Sequence, residues 1–287
     1  MRKLAAFSLI ELIVVIAIVA VLAAILFPVF RQVKVRAKHA SWISSVRQVN
    51  LATNLYVADY DDFFPIPRYN PSANHPARDR TWVQVVLPYV RNFEVFNCPS
   101  DGTKTTEFRT TFDEDLVPGD IYSRYYRASM RTNIGYNYIY LSPIIRGNAN
   151  QWITIPKSVS AVNDPANTLM FGDSAWEIRN GKPEGGGHYL ALAPCRFELQ
   201  NGVPIDTTGH AVSNASFFRE GLIWVQTSTK FFEAGGLWPW HDDRVTITMV
   251  GGNIKLMSLR QTTQGCAVRS DWSGLIHDPT RYIWDIR

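Results

Sequence analysis

Several short patterns in the sequence contain residues that could carry out chemistry. Gly172-Asp-Ser174 places a serine hydroxyl beside a carboxylate, and a nucleophilic serine also needs a histidine as its base. None of the six histidines has an aspartate three residues before it, and the G-x-S-x-G pattern of a nucleophile elbow is absent. We therefore predict that Ser174 lies at the end of a strand and that the chain is not an enzyme.

Residues that bind metals in proteins are scattered along the chain. The histidines form no H-x-H or HExxH pair. Two acidic groups could donate oxygen ligands to calcium, although neither has the spacing of an EF-hand loop: Asp242 with Asp243, and Asp59 with Asp61 and Asp62. Gly185-Gly-Gly187 is followed by no lysine and no helical pattern, so a phosphate-binding loop is not predicted. We expect no cofactor, with calcium at Asp242 and Asp243 as the remaining candidate.

The three cysteines are Cys98, Cys195 and Cys266, and they form no CxxC pair. Their wide spacing argues against a zinc site or a redox motif. If this part of the chain is exported, one disulfide can form and one thiol is left over. The sequence leaves all three pairings open.

An apolar stretch near the N terminus is the element around which the chain is organised. The 19 residues from Leu12 to Phe30 carry no charge. A helix of ~20 such residues crosses a ~30 Å hydrocarbon core with every backbone amide satisfied. A secretory signal peptide cut after Ala23 is a competing interpretation, but its apolar core is usually only about 7–15 residues long.

Glu11, just before the uncharged run, has two explanations. It lies at the membrane interface and reaches the headgroups, or it has a function and a partner. The second explanation is favoured by the local pattern, in which Arg2, Lys3 and two alanines precede Phe7-Ser-Leu-Ile-Glu11. This pattern resembles the processing site of type IV pilins and type II secretion pseudopilins.

The resemblance implies that a prepilin peptidase cuts between Ala6 and Phe7 and that Phe7 is N-methylated. The family usually has glycine where this chain has Ala6. Pro28 would kink the helix, as a proline does in many pilins. The new α-amine at Phe7 would be a buried cation, and Glu11 of an adjacent subunit could neutralise it in a low-dielectric helix bundle.

The implied protein is a structural subunit that is stored in the bacterial inner membrane with an exported head. Its expected partners are the peptidase, the membrane and other pilin or pseudopilin subunits, which it contacts through the N-terminal helix. The alternative is a membrane-tethered module that binds a glycan or a protein at the cell surface without forming filaments.

Charge excludes one class of partner and raises a question of orientation. The net charge of +4 falls by two, to +2, without Arg2 and Lys3, and this is too weak to predict nucleic-acid binding. The positive-inside rule would place the C-terminal side in the cytoplasm, because four basic residues follow the apolar run. Pilin-like processing implies the opposite orientation. These residues would then contact anionic headgroups outside: Arg31, Lys34, Arg36 and Lys38.

The expected organisation has four parts: a leader at 1–6, a membrane segment at 7–30, an amphipathic continuation of the helix at 31–60, and a globular β-rich head at 61–287. The fold class is α+β, with one long helix packed on a mainly antiparallel sheet. One helix face collects apolar residues at helical spacing: Val35, Trp42, Val46, Val49 and Tyr56. A second face has smaller ones: Val33, Ala37, Ala40, Ser44, Leu51 and Leu55. Either both faces are intramolecular core, or the second contacts neighbouring helices.

Local patterns predict the elements of the head. Thr81 is an N-cap for a short helix, Trp82 to Val90, which ends around Pro88, and 103–150 has the character of an irregular insertion. Strands are predicted at 168–172 and 222–227. A hairpin is predicted at 245–257 with a two-residue loop, Gly251-Gly252, in which glycine supplies a positive φ.

The head also resembles a group of pilin-like bacterial proteins with an uncharacterised head. Four stretches carry this resemblance: 60–65, 82–89, Cys98-Pro-Ser-Asp101 and the hairpin. That group often ends in a histidine followed by nine residues and Asp-Gly. Here His241 precedes nine residues and Gly251-Gly252, so the aspartate is lost and Gly252 remains.

Overall fold

The computed structural model describes residues 9–69, 80–103, 125–146, 152–208, 235–269 and 274–287. The helices are α1 (Leu9–Asp59), α2 (Trp82–Val90), α3 (Tyr126–Ser129), α4 (Tyr138–Leu141) and α5 (Leu259–Thr262). The first strands are β1 (Arg68–Tyr69), β2 (Arg80–Thr81), β3 (Ile134–Asn137), β4 (Ile144–Arg146) and β5 (Trp152–Thr154). The next are β6 (Leu169–Asp173), β7 (Glu177–Arg179), β8 (Lys182–Glu184), β9 (Leu190–Ala191) and β10 (Cys195–Gln200). The last are β11 (Val203–Asp206), β12 (Val245–Met249), β13 (Ile254–Met257), β14 (Cys266–Ala267) and β15 (Gly274–Ile276).

Helix α1 is continuous over 51 residues, which corresponds to a rod of about 76 Å. It passes through Pro28 without interruption. Beyond Asp59 the chain turns at Asp61 and Asp62, which have φ values of 51° and 62°. The predicted long helix is confirmed from Leu9 onward, and its predicted end at the acidic residues before Pro65 is also confirmed.

The two faces predicted for the second half of α1 differ in their surroundings. Trp42, Val46, Val49 and Tyr56 are buried against the head, whereas Val35 is exposed. The second face is exposed along its whole length. Only the first face therefore belongs to the core of the molecule.

Helix α2 begins with the predicted cap. The Thr81 hydroxyl accepts a hydrogen bond from the Gln84 backbone, and the Gln84 side chain accepts one from the Thr81 backbone, which completes a capping box. The predicted bounds of this helix, Trp82 to Val90, are confirmed. Pro88 lies inside the last turn and the helix continues to Val90, because the missing N–H removes one bond without stopping the turn.

A mixed five-stranded sheet in the order β13-β12-β6-β3-β9 forms the centre of the head. All its pairs are antiparallel except β3 with β9. Helices α1 and α2 cover one face, where Trp82 stacks on Phe171 at 4.8 Å between ring centroids. On the other face Leu237 packs closely over Gly172. All five residues of β12 are therefore buried. The predicted α+β class with a mainly antiparallel sheet is confirmed.

A second sheet has four strands in the order β11-β10-β15-β14. Three two-stranded sheets pair β1 with β2, β4 with β5 and β7 with β8. The expectation of an irregular insertion over 103–150 was wrong for 125–146, because β3 in this region is an inner strand of the central sheet. The strand predicted at 222–227 lies outside the described residues.

The terminal hairpin is confirmed, but its loop differs from the prediction. The Met249 N–H donates to the Asn253 carbonyl at 2.9 Å, so three residues, Val250 to Gly252, form the loop. Gly252 has a φ of 88°, as expected for a glycine that closes such a turn. Gly251 does not adopt a positive φ.

Candidate functional site

The first half of α1 has the properties of a membrane span. It is the one helix among the described residues that is long and apolar enough to cross a membrane, and none of its most apolar window is buried. Its large apolar residues are exposed from Leu9 (75%) to Phe30 (62%). Glu11 lies in the first turn of the helix. Ala6 and Phe7, the predicted processing residues, lie outside the described residues.

A buried carboxylate joins α1 to the central sheet. The Trp42 indole donates to one Asp173 oxygen at 2.6 Å, and the Thr246 backbone N–H donates to the other at 2.7 Å. Burial raises the pKa of Asp173 to about 7, although these hydrogen bonds to Thr246 and Trp42 oppose the rise. Asp173, the last residue of β6, therefore forms a buried polar link between α1 and the head, and its pKa lies near neutral pH.

Cys98 and His241, which belong to two of the motif regions, meet beside this bond. The Cys98 sulfur lies 3.3 Å from Nε2 of His241, and the Ser100 hydroxyl lies 3.3 Å from Nδ1. The ring of His39, on α1, stacks on His241 with 4.4 Å between centroids. His241, the first residue of the motif that ends at Gly251-Gly252, lies before β12 and contacts α1 and the Cys98 turn.

The electrostatics of this cluster do not favour a nucleophile. Burial, together with the nearby Asp173 charge, raises the pKa of Cys98 to about 12. Burial and the neighbouring His39 lower the pKa of His241 to about 4. At neutral pH the pair is a thiol beside a neutral imidazole, not the thiolate of a reactive cysteine. The cluster therefore serves to hold α1 against the head.

We expect Cys98 to be unreactive in the folded chain. A maleimide should not label it at neutral pH in the native state, because the side chain is 4% exposed and the thiol is protonated. Urea should expose one reactive thiol per chain, counted by mass. Rapid native labelling at neutral pH would contradict the buried position of this residue.

The turn at Cys98-Pro-Ser-Asp101 is held by one amide side chain. Asn133 accepts a hydrogen bond from the Cys98 backbone at 2.9 Å and donates to Asp101 at 2.8 Å. Asp101 also accepts from the Thr103 backbone at 2.8 Å. Because Asn133 immediately precedes β3, this network fixes the turn to the central sheet.

Ser174 lies directly after β6, as predicted, and is fully buried. Its hydroxyl donates to the His188 carbonyl at 2.6 Å and accepts from the His188 N–H at 3.1 Å. The His188 ring, whose pKa burial lowers to about 3, contacts the Leu190 backbone through Nδ1. Ser174 thus bonds to a histidine backbone and closes a turn.

The glycine run before His188 allows two segments to approach closely. A Cβ at Gly187 would lie 2.1 Å from the Thr132 carbonyl oxygen. We expect Gly187→Ala to destabilise the head by about 1–3 kcal/mol in urea unfolding, since the backbone must shift. Gly102→Ala is the matched control, because a Cβ there meets nothing within 4 Å, and its effect should stay within about 0.5 kcal/mol. Equal stability of both variants would contradict this packing.

Calcium at Asp242 and Asp243 gains no support from the geometry. Both residues form a turn with φ values of 46° and 56°. Within the described ranges, no three His, Cys, Asp or Glu side chains come together as a metal site. Of the three cysteine pairings, the structure has Cys195 with Cys266, which links β10 to β14 in the second sheet, and Cys98 as a free thiol.

Sequence reasoning missed two long-range contacts near the junction of α1 and the head. Trp42 and Asp173 are 131 residues apart, and Cys98 and His241 are 143 residues apart. The motif regions at Cys98 and His241 had been recognised separately, and no pattern in the sequence indicated that they meet.

Comparison with known proteins gives one match. The family model described as the prokaryotic N-terminal methylation motif matches residues 1–27. Searches of the curated proteins and of the solved structures found no match. The match covers the leader pattern, Glu11 and most of the apolar run. This motif, at the start of a long exposed apolar helix, supports a type IV pilin-like protein.

Proposed function

We propose that the chain is a structural subunit that a prepilin peptidase cuts between Ala6 and Phe7. The mature protein is held in the bacterial inner membrane and assembles through α1 into a type IV pilus or a type II secretion-like filament. The methylation motif supports the processing step. Assembly rests on the geometry of α1.

The two faces of α1 carry this proposal. Leu51 lies 18 residues after Val33, which is about five turns, so both point in the same direction. Trp42 lies nine residues after Val33, about two and a half turns, and so points the opposite way. Leu51 and Val33 are 61% and 58% exposed, while Trp42 is fully buried. An apolar stripe directly opposite the head, continuous with the exposed membrane segment, is suited to packing against the helix of another subunit.

The processed N terminus would set the register between subunits. The cut creates a charged α-amine at Phe7, at the start of an apolar helix. Glu11 of a neighbouring copy supplies the opposite charge, and such a pair is tolerated in a low-dielectric bundle only when it is well formed. This makes Glu11 an assembly residue.

The disulfide supports an exported head. Cys195 and Cys266 are bonded, and such bonds persist in oxidising compartments and are rare in the cytoplasm. The orientation with the basic residues outside, opposite to the positive-inside rule, agrees with this bond.

The intact mass of the protein from its own membranes tests the proposal first. We expect the mass of a chain that begins at an N-methylated Phe7. A chain that still begins at Met1 would contradict processing and favour the tethered binding module. A chain that begins at Ala24 would identify a cleaved signal peptide and remove the basis for assembly.

One observation favours the second candidate, a membrane-tethered binding module. A polar cavity of about 490 Å³ lies between α1 and the Cys98 turn. It is lined in part by Ser41, Gln48, Asn92, Glu94 and Asn97, whose hydroxyl, amide and carboxylate groups suit a polar ligand. Binding of glycans by the full chain, with normal membrane location and no filaments, would favour this function.

A further inference from the structure

Four basic residues of α1, Arg31, Lys34, Arg36 and Lys38, form what we call the basic collar. It begins at the residue after Phe30, the last of the uncharged run. Nineteen helical residues span about 28 Å, which matches a ~30 Å hydrocarbon core. Arg31 therefore lies where the hydrocarbon ends, on the side of the membrane that holds the head.

The collar is compact and surrounds the helix. From Phe30 to Lys38 the helix rises about 12 Å. Arg31, Lys34 and Lys38 follow one another at spacings of three and four, so they share a face, and Arg36 points away from it. Cations thus face the lipid on more than one side at the depth of the headgroups.

The collar makes no ion pair with the residues that the structure describes. None of its four side chains is within ion-pair distance of a carboxylate in the part of the chain that the structure describes. Arg31, Lys34 and Arg36 are exposed, and Lys38 is half-buried. These cations, without an ion pair among the described residues, are available to bind an external anion.

We propose that the basic collar binds the phosphates of anionic lipids in the leaflet on the head side of the membrane. Guanidinium and ammonium groups bind phosphate strongly, and their long apolar stems reach along the helix toward the interface. The surface of a neighbouring subunit is a less suitable partner, because the collar adjoins the headgroups before any filament forms. The inference requires that α1 spans the membrane, but it does not require filament assembly.

The test uses the full-length protein in lipid nanodiscs made from equal amounts of phosphatidylglycerol and phosphatidylcholine. Native mass spectrometry of the released protein counts the lipids that stay bound. We expect a clear excess of phosphatidylglycerol for the wild type that falls when salt is raised. Each collar charge contributes roughly fivefold to the preference, so Lys34→Gln should lower it about fivefold. Replacing all four residues with glutamine should abolish it.

Arg47→Gln is the matched control. It removes the same charge about 24 Å above Arg31, beyond the headgroups, and should keep the wild-type preference. Equal retention of both lipids by the wild type would overturn the proposal. The proposal falls in the same way if this result comes with cross-links between collar residues and carboxylates of a second copy. A loss at Arg47→Gln equal to that at Lys34→Gln would also overturn it, since it would indicate a general effect of net charge. Resistance to alkaline extraction confirms insertion of each variant.

Discussion

Replacing Glu11 with alanine is expected to leave the protein in the membrane and to abolish filament assembly. Insertion should be unchanged or improved, because the substitution removes a charge and leaves the uncharged run from Leu12 to Phe30 intact. Assembly should fail, because the α-amine of Phe7 in each neighbour would be buried without its counter-charge. Breaking one partner of a buried ion pair costs about 3–5 kcal/mol. This cost would recur at every subunit contact.

The measurement compares two fractions from the same cells. Immunoblots of the membrane fraction report insertion, and electron microscopy of sheared material reports filaments. Glu94→Ala is the control, since it also removes one carboxylate but from an exposed position on the head. It should give normal filaments. Normal filaments from Glu11→Ala would refute the assembly role of this residue while leaving the methylation motif unaffected.

Trp42→Phe is expected to destabilise the head more at alkaline than at acidic pH. The folded pKa of Asp173 is about 7, above its ordinary value of 3.8. The unfolded chain ionises first, so the contribution of Asp173 to stability falls by ~4 kcal/mol as pH rises from about 4 to about 7. Removing the indole donor raises this pKa further. Loss of the indole hydrogen bond therefore lowers the free energy of unfolding by about 1.5–3 kcal/mol only when the Asp173 carboxylate is charged.

Urea unfolding of the full chain in detergent, at about pH 5.5 and about pH 8.5, measures this difference. The difference in unfolding free energy between the variant and the wild type cancels the contribution of the histidines. That contribution lowers stability at low pH and so opposes the effect of Asp173. In an Asp173→Asn background the same Trp42→Phe change should cost the same at both pH values, because no charge remains to be solvated. A pH-independent cost in the Asp173 background would show that the indole contributes only volume.

Local features of the fold were predictable because their causes are local. The capping box at Thr81 depends on residues three positions apart, and the hairpin depends on alternation around two glycines. The long helix follows from an uninterrupted helical pattern. Its end was predictable because Pro65 and the preceding aspartates oppose continuation. In each case the physical cause lies within one or two turns of chain.

Features that depend on distant residues were not predictable. Strand β3 has only four residues and shows no clear alternation, and it becomes an inner strand because β6 and β9 pair with it. The choice of Cys195 with Cys266 depends on the parallel pairing of β10 and β15. The buried role of Asp173 depends on an indole supplied by another element. The apolar segment of α1 could be predicted from the sequence, whereas the contacts between α1 and the head could not.

The long separation between α1 and its partners in the sheet affects how the protein is made. Asn50 on α1 donates to the carbonyl of Met249, which is 199 residues further along the chain. At about 5–20 residues per second, synthesis of that interval takes roughly 10–40 s. During this time the helix is already anchored while Trp42 and Val46 have no sheet to cover them. We expect nascent chains to depend on a chaperone over this interval, and chains truncated before β12 to be removed by membrane proteases.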